Sequence, residues 1–178
     1  MSLLSVEEKI RKQLIEVAEK MLIAARTAPK GRGEDNTVFA VAEGSTIKEI
    51  SEKMQEIGER VNQNAFIRDS KNILGSPVIV LLGTRIKSMN LKKCGRCGFK
   101  NCDEKNKHTE IPCVFNTGDL GIAIGSAVSI AMDCRVDNRI MYTVGEAVME
   151  LGIMQEDVKC VYGIPLSAGS KNIFFDRK

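Results

Sequence analysis

The residues of this sequence best suited to chemistry are four cysteines within twenty positions: Cys94, Cys97, Cys102 and Cys113. The first three form a C-x2-C-x4-C run. Thiolates are soft, strongly donating ligands, and two cysteines separated by two residues can reach one metal centre from a single tight turn. Gly95 and Gly98 each follow a cysteine, where a positive φ or a close approach of backbone N–H to sulfur is easiest for a residue without Cβ. The pattern predicts a bound metal or an iron–sulfur cluster.

Two kinds of centre fit these cysteines. A four-iron four-sulfur cluster with four thiolate ligands explains their number, their clustering and the glycines, although the x4 gap departs from the C-x2-C-x2-C run of bacterial ferredoxins. Structural zinc is the alternative, held by the C-x2-C-x4-C cysteines and a fourth ligand, either Cys113 or His108. Free buried thiols are a third interpretation. We favour the cluster, because zinc knuckles usually present a second C-x2-C or a compact His/Cys pair, and His108 is otherwise expected to be a solvated loop residue.

The composition is that of an ordinary soluble globular protein. The 178 residues fit one domain, with 43% hydrophobic and 28% charged residues. The net charge of +3 is small and the basic residues are spread out, so nucleic acid is not an expected partner. No N-terminal stretch joins a basic flank to an apolar run, so we expect a cytoplasmic protein. In that compartment, six cysteines are expected to be ligands or free thiols rather than disulfides.

Alternating helices and strands must position the cysteines. An apolar face with helical spacing predicts a first helix that ends near Ala28. Strands are expected at 37–42, 77–82 and 158–164. The second strand is apolar without alternation, which is typical of a strand covered on both sides, and the cysteine segment follows it directly. A second helix carries a narrow apolar seam that suits packing within the fold or against another chain: Ile47, Ile50, Met54, Ile57 and Val61.

Two further helices are predicted after Cys113. Residues 120–134 are apolar nearly all round, and the spacing of Gly121 and Gly125 predicts close packing of this helix against a neighbour. The segment is shorter than the roughly 20 residues needed to cross a bilayer, so membrane insertion is not expected. Asn138 is predicted to cap the next helix.

The other candidate functional residues are few. Arg26, Lys30 and Arg32 surround two glycines in the loop after the first helix, where basic side chains and a permissive backbone suit the phosphate of a flavin. A solvated surface loop is the competing interpretation, and we favour it. Cys134 at a helix end and Cys160 within a strand are interpreted as small core residues. No residues are positioned as a nucleophilic Cys/His pair, so catalytic residues are not assigned.

The segment Cys94-Gly-Arg-Cys97-Gly-Phe-Lys-Asn-Cys102 resembles the CGxCGxxxC pattern of the four-iron four-sulfur domain found in electron-transport complex subunits and corrinoid iron–sulfur proteins. In that family a fourth cysteine follows at a longer interval, and Cys113 takes this role here after ten intervening residues. The resemblance implies four cluster ligands: Cys94, Cys97, Cys102 and Cys113.

The chain as a whole resembles a family of functionally uncharacterised prokaryotic proteins described as containing a ferredoxin domain. The resemblance runs through the cysteine segment and the tail from Gly163 to Arg177. Three segments are also similar to flavin-dependent nitroreductases: 24–29, 119–123 and 161–165. Those enzymes are α+β homodimers that bind FMN at the subunit interface. The Arg-x-Ser-x-Arg segment that grips their FMN phosphate has no counterpart before Glu7, so FMN is an alternative cofactor here and not the expected one.

These observations predict a single α+β domain over residues 1–178, nitroreductase-like in outline, with residues 90–115 as a cysteine-rich insert. The expected function is electron transfer through the cluster, between a donor and either a bound flavin or a redox partner protein. A homodimer supported by the seam from Ile47 to Val61 would bring redox centres together. The alternatives are a zinc-stapled scaffold without redox activity and a flavin-dependent reductase that uses the cluster as a relay.

Overall fold

A four-stranded antiparallel sheet forms the centre of the computed structural model, which describes residues 5–175. The strands stand in the order β1-β2-β4-β3 and are bounded as follows: β1 (Thr37–Glu43), β2 (Val78–Arg85), β3 (Asp137–Asn138) and β4 (Val158–Ser167). The three longer strands lie where the sequence predicts them. The residues from Val78 to Leu82 in β2 are fully buried, which confirms the prediction of a strand covered on both sides.

Helices cover both faces of this sheet in the described part of the chain: α1 (Val6–Thr27), α2 (Ser45–Arg60), α3 (Asn64–Ile73), α4 (Cys102–Lys105), α5 (Val114–Asp133) and α6 (Tyr142–Glu150). Successive side chains of a strand point to opposite faces, so Val78, Val80 and Leu82 pack with α1 and α5. Ile79 and Leu81 pack on the other face with α2 and α6, beside which α3 lies. The protein therefore has the predicted α+β fold, with a sheet flanked by helices.

The apolar seam of α2 packs inside the chain. Four of its members are at most 4% exposed: Ile47, Ile50, Met54 and Ile57. They belong to the core that α2 shares with α6 and β2. Val61, which follows the end of the helix, is 50% exposed. The seam is therefore a core contact, and the prediction that it supports a dimer is wrong.

The helix α5 begins earlier than the sequence predicts. It spans Val114–Asp133 rather than 120–134, because the polar side chains of Asn116 and Asp119 in its first turns find hydrogen-bond partners outside the helix. With 20 residues it is long and apolar enough to cross a membrane by length and composition alone, which corrects the length inferred from the sequence. Its apolar side packs on α1 and the sheet, as the core helix of a soluble protein does.

The glycines of α5 do not pack against another helix among the described residues. Gly121 and Gly125 are exposed, and a Cβ added at either position would meet no atom within 4 Å. Ile122 and Met132 are 49% and 65% exposed on the same side of the helix. The close packing predicted for this glycine pair is therefore wrong within the chain. An apolar pattern marks a face that avoids water, but it does not tell what covers that face.

The helix α6 lies directly on β4 because glycines remove the side chains between them. A Cβ at Gly145 would lie 1.7 Å from the carbonyl oxygen of Val161. A Cβ at Gly163 would lie 2.2 Å from Cγ1 of Val144. Each element therefore has a glycine at the point of contact, Gly145 on α6 and Gly163 on β4. Any other residue at these positions would push the backbone of β4 or the side chain of Val144 out of place.

Two predictions for the residues after α5 are wrong. Asn138 does not cap a helix, because its backbone pairs with β4 in the sheet and α6 begins only at Tyr142. Cys134 is exposed and not a core residue, because it follows the last turn of α5 beyond the buried face.

Cys160 packs against the core within β4, as predicted. Burial, together with the nearby carboxylate of Glu146, raises the pKa of its thiol.

A buried carboxylate on α3 links the body of the fold to its C-terminal segment. Asp69 is 3% exposed and accepts hydrogen bonds at 2.8 Å from Thr143 Oγ1 and Arg68 Nε. It also lies 3.9 Å from Arg139 Nη1, and that guanidinium donates to the carbonyl of Phe174 at 2.8 Å. The ring of Phe174 is fully buried, so the chain packs on the body of the fold at this residue.

We expect Asp69→Ala to lower the free energy of unfolding by about 3 kcal/mol, because the partly buried guanidinium of Arg139 and the buried hydroxyl of Thr143 lose their shared acceptor. Urea denaturation followed by circular dichroism measures the change. Glu59→Ala is the matched control, since this carboxylate is exposed on α2, and it should change the free energy of unfolding by less than about 0.5 kcal/mol. Equal effects of the two substitutions would contradict the role assigned to Asp69.

Candidate metal centre

A glycine turn presents the first two cysteines of the segment that follows β2. The N–H of Gly98 donates to the carbonyl of Gly95 at 3.1 Å, which closes the turn around Cys97. Gly98 has a φ of 91°, a conformation that other residues rarely adopt. A Cβ at Gly95 would lie 2.9 Å from the carbonyl oxygen of Phe99. Both glycines are therefore required by the backbone, and Cys94 and Cys97 lie partly buried at this turn.

The third cysteine is fixed at the start of a short helix. Cys102 is the first residue of α4, and the side chain of Asn101 caps that helix by accepting from the N–H of Glu104 at 2.9 Å. The carboxylate of Glu104 accepts in return from the N–H of Lys100 at 2.5 Å. These two bonds hold the residues between the glycine turn and α4, so the position of Cys102 is determined by local hydrogen bonds.

The fourth cysteine lies at the start of α5. Cys113 occupies the N-cap position, is 5% exposed, and accepts the N–H of Thr117 with its backbone carbonyl at 3.1 Å. The partial positive charge at the amino end of a helix favours an anionic group there. Cys113 is thus the buried member of the set, whereas Cys94 and Cys97 at the glycine turn and Cys102 at the start of α4 are only partly buried.

The candidate zinc ligand His108 has other neighbours. Its ring stacks on Phe99 with centroids 4.9 Å apart and planes inclined by 24°. Its side chain is 47% exposed, and Nδ1 lies 3.7 Å from a carboxylate oxygen of Glu110. The position agrees with the expectation of a solvated loop residue.

An amide at the base of α5 anchors the cysteine segment to the fold. Asn116 is 1% exposed, and its Nδ2 donates to the carbonyls of Arg85 and Lys87 at 3.2 and 2.5 Å. Its Oδ1 accepts from Nδ2 of Asn36 at 3.3 Å. The carbonyls belong to the chain as it leaves β2, so Asn116 fixes the start of the cysteine segment beside Cys113 at its end.

We expect Asn116→Ala to lower the free energy of unfolding by about 2 kcal/mol, because two partly buried backbone carbonyls and the buried amide of Asn36 lose their partner. Chemical denaturation measures this effect. Thr117→Ala, on the same turn of α5 but bonded only to the carbonyl of Val114 within the helix, is the control and should have a much smaller effect. A loss of stability confined to Thr117→Ala would show that Asn116 does not anchor the segment.

The surroundings of the glycine turn are basic. A cavity of about 660 Å³ opens beside Cys94 and is lined largely by cationic residues: Lys92, Lys93, Arg96 and Lys100. Four thiolates around a metal centre carry net negative charge, and nearby cations lower the energy of that charge. The electrostatics of the site therefore match an anionic thiolate centre.

The four thiols are not gathered into a ready-made site. All six cysteines are free thiols, and within residues 5–175 no three side chains of Cys, His, Asp or Glu are grouped as metal ligands. The donor chemistry nevertheless fits a thiolate-bound centre: four soft sulfurs on one segment, with the N–H groups of a glycine turn beside them. Such a centre requires the glycine turn and α4 to close on Cys113.

The three basic residues considered for a flavin phosphate have partners within the protein. Lys30 Nζ donates to three carbonyls at the end of α1, at 2.6, 2.8 and 2.9 Å. Arg26 pairs with Asp35 at 2.6 Å, and Arg32 donates to the carbonyl of Met89 at 3.0 Å. A phosphate bound by these side chains would have to compete with these bonds.

The hydrogen bond from Arg26 helps to lower the pKa of Asp35, the carboxylate that it contacts. Burial works to raise the pKa of Asp35, but hydrogen bonds from Thr37 and Arg26, together with the charge of Lys30, hold that pKa below its usual value. Asp35 therefore remains charged and keeps Arg26 engaged across the ordinary pH range.

A second cavity, of about 470 Å³, lies between the loop after α1 and the first turns of α5. Phe115 and Ile122 give it an apolar wall, and Arg96 from the glycine turn also lines it. The N–H of Gly31 donates to Oδ2 of Asp119 at 2.9 Å, which holds the loop against α5. The cysteine segment thus shares this cavity with the loop that carries the candidate phosphate ligands.

Comparison with known proteins gives the family. A family described as uncharacterised proteins containing a ferredoxin domain matches residues 109–177. An uncharacterised protein of Archaeoglobus fulgidus is 36% identical over 179 residues, covering 96% of both chains. The chain belongs to this family. The match to the ferredoxin-domain family includes Cys113 but does not extend to the C-x2-C-x4-C run.

The fold of this ferredoxin-domain protein is that of nitroreductases. A Bacteroides fragilis nitroreductase with bound FMN has a TM-score of 0.61 and 12% identity, covering 92% of this chain and 81% of that one. A Desulfitobacterium hafniense nitroreductase with bound FMN has a TM-score of 0.58 and 14% identity, covering 96% and 81%. A BluB-like flavoprotein from Clostridium difficile has a TM-score of 0.52 and 20% identity, covering 88% and 84%. Identities this low establish the fold alone, and they confirm the predicted fold class.

Two residues near the cysteines of this ferredoxin-domain protein are not found by sequence reasoning. Asn116 is a lone amide in an apolar stretch, and that isolation is the signal that could have marked it. Lys105 is 3% exposed although it lies in a charged stretch of sequence, where no pattern distinguishes it from its neighbours. Burial of such residues depends on how α4 and α5 pack, which periodicity does not show.

Proposed function

We propose that this protein transfers electrons through a four-iron four-sulfur cluster with four cysteine ligands: Cys94, Cys97, Cys102 and Cys113. The observation that carries the proposal is the glycine turn that presents Cys94 and Cys97 just before the helix-borne Cys102. Membership in a family described as containing a ferredoxin domain supports it. Such a cluster, when bound, supplies one-electron transfer without making or breaking covalent bonds of a substrate.

In this proposal the chain is a single α+β domain over residues 1–178, and residues 90–115 are an insert that carries the cluster. Asn116 supports this organisation, because it bonds the chain leaving β2 to the helix that begins after Cys113. The sheet and its helices then form the base of the fold, and the insert on that base holds the redox centre.

The basic side chains beside Cys94 suggest which kind of protein would exchange electrons with this one. The cationic side chains beside Cys94 that neutralise a thiolate centre also form a basic surface at the expected point of electron entry or exit. A redox partner protein with an acidic surface would be steered to this region by complementary charge. We place this exchange in the cytoplasm, where the cysteines stay reduced until they bind iron.

A homodimer is part of the proposal. The nitroreductase resemblance implies one, and the exposed face of α5 offers a surface for it: Gly118, Gly121, Ile122, Gly125 and Met132. Open glycines allow two helices to approach closely, and the exposed Ile122 and Met132 provide apolar area. This surface takes the place of the α2 seam, which the core already uses.

A flavin-dependent reductase with the cluster as a relay is the second candidate. It is favoured by the cavity that Arg96 shares with the loop after α1, and by a fold similar to that of proteins solved with FMN. Arg26, Lys30 and Arg32 would be the phosphate ligands, at the cost of their present hydrogen bonds. Flavin released from denatured protein, detected by its fluorescence, would support this candidate.

The test of the proposed function is a visible spectrum, with quantification of iron, sulfide and zinc, on protein purified without oxygen. We expect broad absorption that dithionite bleaches, with about four irons per chain. Colourless protein with one zinc per chain would overturn the redox proposal in favour of a zinc-stapled scaffold. Brown protein whose absorption dithionite does not change would also contradict electron transfer.

A further inference from the structure

We propose that a cavity along α3 binds a small organic phosphate, at a site separate from the cysteine segment. The cavity has a volume of about 620 Å³, a size that suits a small molecule. Ile173 of the C-terminal segment closes it, packed so tightly on Gly75 that a Cβ there would lie 2.7 Å from Ile173 Cδ1. The rest of the wall is one face of α3: Asn64, Ile67, Arg68, Lys71 and Asn72. Gly75 precedes β2 and the cysteine segment follows it, so the two sites lie at opposite ends of this strand.

The wall of this cavity includes an amide whose donor has no acceptor. Within residues 5–175, Nδ2 of Asn72 is the one buried side-chain nitrogen or oxygen without a hydrogen-bond partner. Buried polar atoms are paired in the large majority of cases, because an unpaired buried donor destabilises the fold. The terminal torsion of asparagine is soft, so the amide can turn its N–H toward an acceptor in the cavity that Asn72 lines. The unpaired donor therefore points to an acceptor that a ligand supplies.

The charge around the cavity selects an anion. Among the described residues no Asp or Glu lines it, whereas Arg68 and Lys71 do. Arg68 shares the carboxylate of Asp69 with Arg139, so one negative charge lies against two guanidiniums. Lys71 adds a third positive charge, which leaves an excess of two. A phosphate monoester carries about two negative charges near neutral pH and would balance this excess, whereas a single carboxylate would balance half of it.

The donors are spaced so that one phosphate can reach several of them. Lys71 and Asn72 follow Arg68 by three and four residues, so the three side chains share one face of α3. A guanidinium and an ammonium donate charge-assisted hydrogen bonds to phosphate oxygens, and the amide donates a further one. Ile67 and Ile173 add apolar surface to the same wall. The cavity thus offers donors to the phosphate and an apolar contact to the group that the phosphate carries.

Phenyl phosphate is the probe for this site, because it joins a phosphate to a small apolar ring. Isothermal titration calorimetry on the full chain measures its affinity. We expect Lys71→Met to weaken binding about tenfold, because a charge-assisted hydrogen bond to the phosphate is lost. Lys20→Met is the matched control, since Lys20 is exposed on α1 and does not line the cavity, and its affinity should equal that of the wild type.

Asn72→Leu, which nearly keeps the size of the side chain, should give two results of opposite sign. Without a ligand, its melting temperature should equal or exceed that of the wild type, because a buried unpaired donor is gone. With phenyl phosphate, its affinity should fall about tenfold, because the phosphate loses an amide donor. An asparagine that only fills space would leave the affinity unchanged.

The remaining outcomes decide the site and its ligand class. A wild-type protein that does not bind phenyl phosphate overturns the inference, and so does an affinity that both Lys71→Met and Asn72→Leu leave unchanged. Benzoate should bind more weakly than phenyl phosphate, and an equal affinity would overturn the assignment of a phosphate. Both variants should keep the iron content of the wild type, because the cavity lies away from the cysteines. A protein that lacks the cluster but binds phenyl phosphate as expected would therefore refute the proposed function and leave this site standing.

Discussion

Cys97→Ser should lose its iron and its visible colour while the helices and the sheet remain folded. Serine offers a hard, protonated oxygen in place of a soft thiolate, so one corner of the proposed cluster loses its ligand. The substitution lies in the glycine turn, where Cys97 is only partly buried and supports no part of the core. Iron should fall from about four atoms per chain to below one, as measured on protein purified without oxygen.

Another free cysteine, outside the cysteine segment, provides the control for this experiment. Cys134→Ser removes a thiol that is exposed at the end of α5 and lies outside the cysteine segment, so its iron content should equal that of the wild type. Circular dichroism confirms that both variants are folded. Unchanged iron in Cys97→Ser, or an equal loss in both variants, would remove Cys97 from the ligand set.

Gly145→Ala should destabilise the fold by about 3 kcal/mol or more, which is a large part of the stability of a typical domain. The new methyl group would lie 1.7 Å from the carbonyl oxygen of Val161, and that oxygen belongs to the backbone of β4. A backbone atom in a paired strand cannot rotate away as a side chain can, so α6 must lift from the sheet. Denaturant titration, or a comparison of soluble yield if the variant does not fold, measures the effect.

Gly125→Ala is the matched control, because it places the same methyl group on a glycine of another helix. No atom lies within 4 Å of the new Cβ in the described chain, and alanine favours a helix over glycine by about 1 kcal/mol. In the single chain Gly125→Ala should therefore be neutral or stabilising, and the comparison is made at protein concentrations below those at which the proposed α5 dimer forms. A stable Gly145→Ala would mean that α6 and β4 are farther apart than the structure shows.

The sequence predicts the buried strand β2 and the end of the first helix well, because each of these residue patterns is typical of one kind of local structure. The unbroken apolar run of β2 is short and bounded by proline and glycine, which favours a strand covered on both sides over a helix, and Val78 to Leu82 are fully buried. The first helix ends at Thr27, one residue before the predicted Ala28, because Pro29 restricts the residue before it. The glycines of the cysteine turn are also assigned correctly, since Gly98 adopts a positive φ.

The predictions that fail concern surfaces and partners. Gly121 and Gly125 have the spacing of a packed helix pair, yet no part of the described chain covers them. Asn138 has the chemistry of a helix cap, but pairing with β4 takes its backbone first. In each case the local pattern is real, and the presence or absence of a contact with residues distant in sequence decides the outcome. The same reason hides Lys105 and Asn116, whose burial depends on how α4 and α5 pack.

The pairing of β2 with β4 has a consequence for how the chain folds. Val80 lies opposite Ile164, so the two central strands come from opposite halves of the sequence and the cysteine segment lies in the loop between them. Closing so long a loop is entropically costly and makes folding slow. A centre bound between Cys94 and Cys113 would cross-link part of that loop and shorten the remaining search. Loading the centre early would then speed the assembly of the sheet as well as complete the redox site.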